Sequence, residues 1–231
     1  MEKENRKNFV SIVGDSISTY ERFNPPGYSV FYNYSNQQLN GVTSVSDTWW
    51  AQVNRFLNAE LCVNNSYSGS RVSGNGFPSA NCPQRLMFLH TQEAEPDIIL
   101  IYIGFNDFGN GIKIKKSGFR ENYCESFYDS YLYMIRSIKS NYPKATIVCS
   151  TLLKGYFKDD IKWHFPENFG GVPFDDYNDA IRKAAKKEKI CLADIAKSDV
   201  RYETLDGTHP TKNGHRTIAE EWISCLKEMN L

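Results

Sequence analysis

Asp97-Ile98-Ile99-Leu100-Ile101-Tyr102-Ile103 is a nearly unbroken apolar run, rich in β-branched residues. Alternating polarity would mark a strand with one face in water. Continuity marks a strand covered on both faces, as parallel strands are. Four other short runs share this character: Phe9–Val13, Glu60–Val63, Ala145–Ser150 and Ile190–Ala193. Helical spacing fills the intervals between them. Asp47–Leu57 carries Trp49, Trp50, Val53, Phe56 and Leu57 at helical spacing, and Cys82–Ala94 has Pro83 in a first-turn position. Glu121–Asn141 stops before Pro143. Phe174–Glu188 opens with Asp175 and Asp176 and closes with Lys183, Lys186 and Lys187, which suits the helix dipole. Thr211–Met229 is the last helix. Strands that alternate with helices predict an α/β fold with a parallel sheet covered on both faces.

The five runs make this a five-stranded parallel sheet in a three-layer α/β/α sandwich, flavodoxin-like in arrangement. A chain of 231 residues is expected to form one domain, residues 1–231. Lys+Arg and Asp+Glu are both 27, so no bulk charge draws the protein to nucleic acid. No apolar run approaches the roughly 20 residues of a membrane helix. Met1–Asn8 is charged and lacks a signal-peptide core, so the chain reads as cytoplasmic. A secreted or periplasmic protein whose leader had been removed would read the same way. The six cysteines show no C-x-x-C and no zinc spacing, so they are expected to be reduced structural thiols. No metal site is expected. Three long connections, Tyr20–Ser46, Phe108–Arg120 and Lys154–Pro173, are the candidate functional loops.

Ligands of such sheets bind at the carboxyl ends of the strands. There Gly14-Asp15-Ser16-Ile17 follows the first strand, Ser66-Tyr67-Ser68-Gly69-Ser70 the second, and Gly104-Phe105-Asn106-Asp107 the third. Near the C-terminus stands Asp206-Gly207-Thr208-His209. Serine is a poor nucleophile until a histidine takes its proton, and that histidine needs a third group to hold its ring. Ser16, His209 and Asp206 are one candidate for each role. The backbone N–H groups of Ser16 and Gly69 and the side-chain amide of Asn106 are candidate donors to a developing oxyanion.

These blocks resemble the SGNH hydrolases, or GDSL esterase/lipase family, defined by Ser, Gly, Asn and His in four separated blocks. They occur here in the family's order, spanning residues 14 to 209, with Ile17 in place of the usual leucine. The Gly69 block is the weakest, with Gly74 and Gly76 as alternatives. The resemblance implies a flavodoxin-like sandwich, a shallow open site and no cofactor. It also implies a Ser16–His209–Asp206 triad, with Ser16, Gly69 and Asn106 as the oxyanion hole.

The expected function is a serine esterase that hydrolyses carboxylic esters through an acyl-enzyme. Short acyl groups, acetyl above all, are favoured because the loops are polar, with a carbohydrate as one candidate alcohol. A transacylase, a lysophospholipase or thioesterase, and a non-catalytic binding module of the same fold are the alternatives. An electron carrier fits less well, because Asp15 in the Gly14 turn opposes a phosphate. The expected partner is a small-molecule or carbohydrate ester. Asp15, Arg71, Tyr32 and Trp163 are the candidate substrate contacts. His90, placed on a helix, and His215 are expected to be structural, and His164 to be a loop residue.

Overall fold

The computed structural model describes residues 7–115 and 125–231. In chain order its elements are β1 (Asn8–Gly14), α1 (Tyr34–Asn40), α2 (Trp49–Phe56), β2 (Ala59–Ser66), α3 (Pro83–Leu86), β3 (Ile98–Tyr102), α4 (Phe105–Gly109) and α5 (Phe127–Asn141). There follow β4 (Thr146–Ser150), β5 (Lys154–Phe157), β6 (Asn168–Phe169), β7 (Val172–Pro173), α6 (Phe174–Glu188), β8 (Cys191–Ala193), β9 (Arg201–Thr204) and α7 (Lys212–Glu228). All five residues of β3 are buried, as their continuous apolar character requires. The strand lies at the centre of a five-stranded parallel sheet of order β2-β1-β3-β4-β8. Its register runs Val10↔Ile98 to Gly14↔Tyr102 against β1 and Ile98↔Thr146 to Ile101↔Cys149 against β4. The five expected strands are these five.

Helices cover the sheet. α2 packs on α7, where Trp49 stacks on Trp222 with ring centroids 5.1 Å apart. α3, α5 and α6 form the other group. Trp49, Trp50 and Trp222 are all but fully buried, and each such ring removes roughly 150–250 Å² from water. The helix expected at Phe174–Glu188 has those bounds. The first residues of the one expected at Glu121–Asn141 lie outside the described residues, and its described part begins at Phe127.

The helix expected over Cys82–Ala94 is a single short turn, Pro83–Leu86. Tertiary partners claim the groups a longer helix would need. Asn65 Nδ2 donates to the carbonyls of Arg85 and Phe88, Ser11 Oγ donates to that of Leu89, and the Leu89 N–H donates to the Tyr142 hydroxyl. His90 therefore sits beyond the helix, its Nδ1 3.0 Å from the Tyr142 hydroxyl. Two of the expected loops contain structure of their own. α1 forms within residues 20–46. β5 and the β6–β7 hairpin form within residues 154–173, with β5 pairing in parallel with β9 outside the main sheet. Cys62, Cys82, Cys149, Cys191 and Cys225 are free thiols. Burial pushes the Cys149 thiol up to about 12, so it stays protonated at neutral pH.

Candidate active site

β1 ends at Gly14, and the chain must turn there without a side chain. A Cβ on Gly14 would lie 2.6 Å from Ser18 Oγ and 2.8 Å from Ser66 Oγ. The tight space lets the next residues wind into a 3-10 turn, Ser16–Ser18, capped by Asp15 Oδ1, which accepts from the Ile17 N–H at 3.1 Å. Asp15 itself is buried. Burial pushes its carboxyl up to about 6, against the opposing pull of the Ile17 N–H and of His209. Asp15, expected to contact substrate, is therefore an internal cap of the turn.

The three blocks at the sheet edge are tied together by hydrogen bonds. The Gly14 carbonyl accepts from the Tyr67 N–H (3.2 Å), from Ser70 Oγ (3.4 Å) and from the buried Arg85 guanidinium (2.8 Å). Asn106 Nδ2 donates to the Ser70 carbonyl at 3.0 Å. The neighbouring Asp107 carboxylate accepts from the Val72 and Ser73 N–H groups at 2.7 and 3.0 Å. α4, which carries Asn106, begins after Gly104 at φ 147°, a conformation that side-chain-bearing residues avoid. Gly69 lies exposed at the rim of residues 67–73, with nothing within 4 Å of where a Cβ would sit. Hydrogen bonds thus connect the Gly14 turn, residues 67–73 and α4 at this edge of the sheet.

The fourth block arrives from the other end of the chain. His209 Nε2 lies 2.9 Å from Ser16 Oγ, and His209 Nδ1 lies 2.6 Å from Asp206 Oδ2. The other carboxylate oxygen of Asp206 accepts from the N–H groups of Thr208 and His209 at 2.9 and 2.7 Å. Both carboxylate oxygens are therefore engaged, which fixes the plane of the acid. Burial works against its charge, yet the His209 hydrogen bond and these N–H groups hold Asp206 below the usual carboxylate range. An ionised Asp206 on Nδ1 leaves Nε2 free to accept a proton from the Ser16 hydroxyl.

The remaining expected contacts are Tyr32, Trp163 and Arg71. Tyr32 is fully buried and its hydroxyl donates to the Pro210 carbonyl at 2.7 Å, so it is out of reach of a substrate. Trp163 packs edge-on to Phe157 at 4.7 Å and lies beneath Gly207, next to Asp206. Arg71 is half-buried and its positive charge acts on Asp107. His164 is exposed. Phe31, not among the expected site residues, stacks its ring on the His209 imidazole at 3.4 Å and 6°. Its only signal in the sequence is the run of aromatic residues Tyr28, Phe31, Tyr32 and Tyr34. Among the described residues no group of three or more His, Cys, Asp or Glu side chains could hold a metal ion. Nor is any helix among them long and apolar enough to cross a membrane.

Comparison with known proteins agrees with the fold. The crystal structure of a protein described as a GDSL-like lipase from Bacteroides ovatus superposes with a TM-score of 0.73 at 24% identity, covering 96% of this chain and 99% of that one. A second, so described, from Bacteroides uniformis gives 0.72 at 25% identity and 97% of each chain. An active-site mutant of a family two carbohydrate esterase from Clostridium thermocellum gives 0.57 at 18% identity, covering 96% of this chain and 64% of that one. No curated protein matches the chain. The family model for GDSL-like Lipase/Acylhydrolase matches residues 8–165, which hold the Ser16, Gly69 and Asn106 blocks and stop short of Asp206 and His209. The chain belongs to the GDSL-like lipase/acylhydrolase family.

Proposed function

We propose that the protein is a serine esterase that cleaves short-chain carboxylic esters through an acyl-enzyme on Ser16. The observation that carries this reading is the position of His209, within hydrogen-bond reach of both Ser16 Oγ and Asp206 Oδ2. Ser16 Oγ attacks the ester carbonyl while His209 Nε2 takes its proton. The tetrahedral intermediate collapses, His209 returns that proton to the leaving alkoxide, and the alcohol departs. Water then attacks the acyl-enzyme with His209 again as base, and Ser16 is regenerated. The Ser16 and Gly69 N–H groups and Asn106 Nδ2 receive the oxyanion.

Two considerations favour a small acyl group on a carbohydrate alcohol: the polar character of the surrounding loops, and the carbohydrate esterase of similar fold. The test is a series of p-nitrophenyl esters, acetyl, butyryl and octanoyl, beside an acetylated oligosaccharide. Cleavage of the acetyl ester and release of acetate from the sugar are expected. Preference for octanoyl would overturn the short-chain reading. A folded protein that cleaves none of them and resists fluorophosphonate labelling at Ser16 would overturn the esterase itself.

Replacing Asn106 with alanine is expected to lower kcat by about 100- to 1,000-fold, the effect of removing one oxyanion donor. KM should change far less. Unaltered turnover in this variant would remove Asn106 from the oxyanion hole. Asp206→Asn should retain more activity than His209→Ala, because holding the base is less demanding than being it. Steady-state kinetics on the acetyl ester would decide the order, and the reverse order would mean that another group serves as the acid.

A further inference from the structure

We infer that Phe31 and Tyr32 form a positioning clamp that holds the His209 imidazole against Ser16, an inference that rests on the esterase reading above. Ser16 and His209 stand 193 positions apart in the chain, and their contact is a single hydrogen bond of 2.9 Å. Residues 31 and 32 touch both sides of it. On the serine side, Thr19 Oγ1 donates to the Ser16 carbonyl at 2.8 Å and accepts from the Phe31 N–H at 2.9 Å. One hydroxyl thereby links the backbone of the serine turn to that of Phe31. On the histidine side, the Tyr32 hydroxyl donates to the carbonyl of Pro210, the residue after His209. Between these anchors the Phe31 ring lies flat on the imidazole. Tyr32 is fully buried and edge-on to Phe31 at 5.0 Å, so the pair has little freedom to swing away.

This arrangement has a chemical consequence. The imidazole becomes an imidazolium as it takes the Ser16 proton. An aromatic face attracts a cation, and more strongly when water is excluded. His209 is only 19% exposed. Phe31 therefore interacts more strongly with the transition state than with the resting enzyme, and only such a difference accelerates the step. Its ring lies on the imidazole, so its role is to act through His209.

The test is steady-state kinetics on the acetyl ester, with kcat expressed per site labelled by a fluorophosphonate. Phe31→Leu fills similar space without an aromatic face. It is expected to lower kcat about 5- to 10-fold, with KM within about twofold of wild type and slower labelling of Ser16. Phe31→Tyr, which keeps the ring, is expected to restore kcat to within about twofold. Tyr32→Phe, which removes the bond to Pro210, is expected to fall between them. Wild-type kcat per labelled site in Phe31→Leu would overturn the inference while leaving the esterase reading intact. A Phe31→Tyr variant as slow as Phe31→Leu would overturn it too. A wild type that neither turns over nor labels would overturn both.

Discussion

Replacing Ser16 with alanine is expected to lower kcat/KM for the acetyl ester by about 10,000-fold or more, with the fold intact. The chemistry predicts a loss this large because the other members of the relay have no substitute for the hydroxyl. His209 Nε2 has Ser16 Oγ 2.9 Å away, and without it the base can only activate water. What survives should be the modest catalysis supplied by the oxyanion donors and by binding. The fold should survive because the turn does not depend on that oxygen. The Ser16 carbonyl still accepts from Thr19 Oγ1, Asp15 still caps the turn, and the Gly14 carbonyl keeps its three donors. One lost hydrogen bond costs about 1 kcal/mol. The two measurements are ester turnover and the urea midpoint. A variant within about tenfold of wild type would show that Ser16 is not the nucleophile. A collapsed midpoint would make lost activity uninformative, and Ser16→Cys, which keeps a nucleophile in place, would then be compared by its labelling.

The sheet was legible because parallel strands carry their signature within a few residues. Five runs of apolar residues, each too short for a helix, matched the five central strands. The connections resisted because their structure depends on distant partners. Nothing local in Cys82–Ala94 says that Asn65, Ser11 and Tyr142 will take its backbone groups. β5 and β9 each have only four residues and pair across 47 positions, so neither looks like a strand until the other is in place.

The site followed a similar pattern. Ser16, Asp206 and His209 could be proposed as one set because their chemistry constrains residue type and block order, and the fold brings them within hydrogen-bond reach. The burial of Tyr32 and Asp15 was not legible. Tyr32 looked available as one member of an aromatic loop, and its burial depends on Pro210 and on His215, whose ring is 5.0 Å away. Asp15 looked like a free carboxylate beside the nucleophile, and it is the internal cap of the turn. An aromatic or acidic residue next to a reactive one serves the substrate or the scaffold according to which way it faces, and a one-dimensional string carries no sign for that.

Below the site, His215 sets the second large expectation, a dependence of stability on acid. The ring is fully buried, and its Nδ1 accepts the Trp49 N–H at 3.2 Å. Its neutral form therefore carries the proton on Nε2, which has no hydrogen-bond partner among the described residues. Burial, with a smaller push from the charge of His209, lowers its pKa to about 3 from an ordinary value of 6.5. A base whose pKa is depressed by folding contributes stability above its unfolded pKa and loses it as pH falls through the folded one. Each unit below 6.5 costs about 1.4 kcal/mol, so the loss near pH 4 is about 3 kcal/mol. Asp15 and Asp107 act with the opposite sign. Burial raises both to about 6, so their contribution is full below 3.8 and is lost as pH rises through about 6. The wild-type profile alone mixes these effects, and a difference measurement separates them. In His215→Gln the amide oxygen can accept the Trp49 N–H without titrating. Urea unfolding of both proteins should show the variant gaining about 3 kcal/mol relative to wild type between about pH 7 and about pH 4. A constant difference would mean that the buried ring takes up its proton in the folded state, and that the Trp49 contact yields to let it.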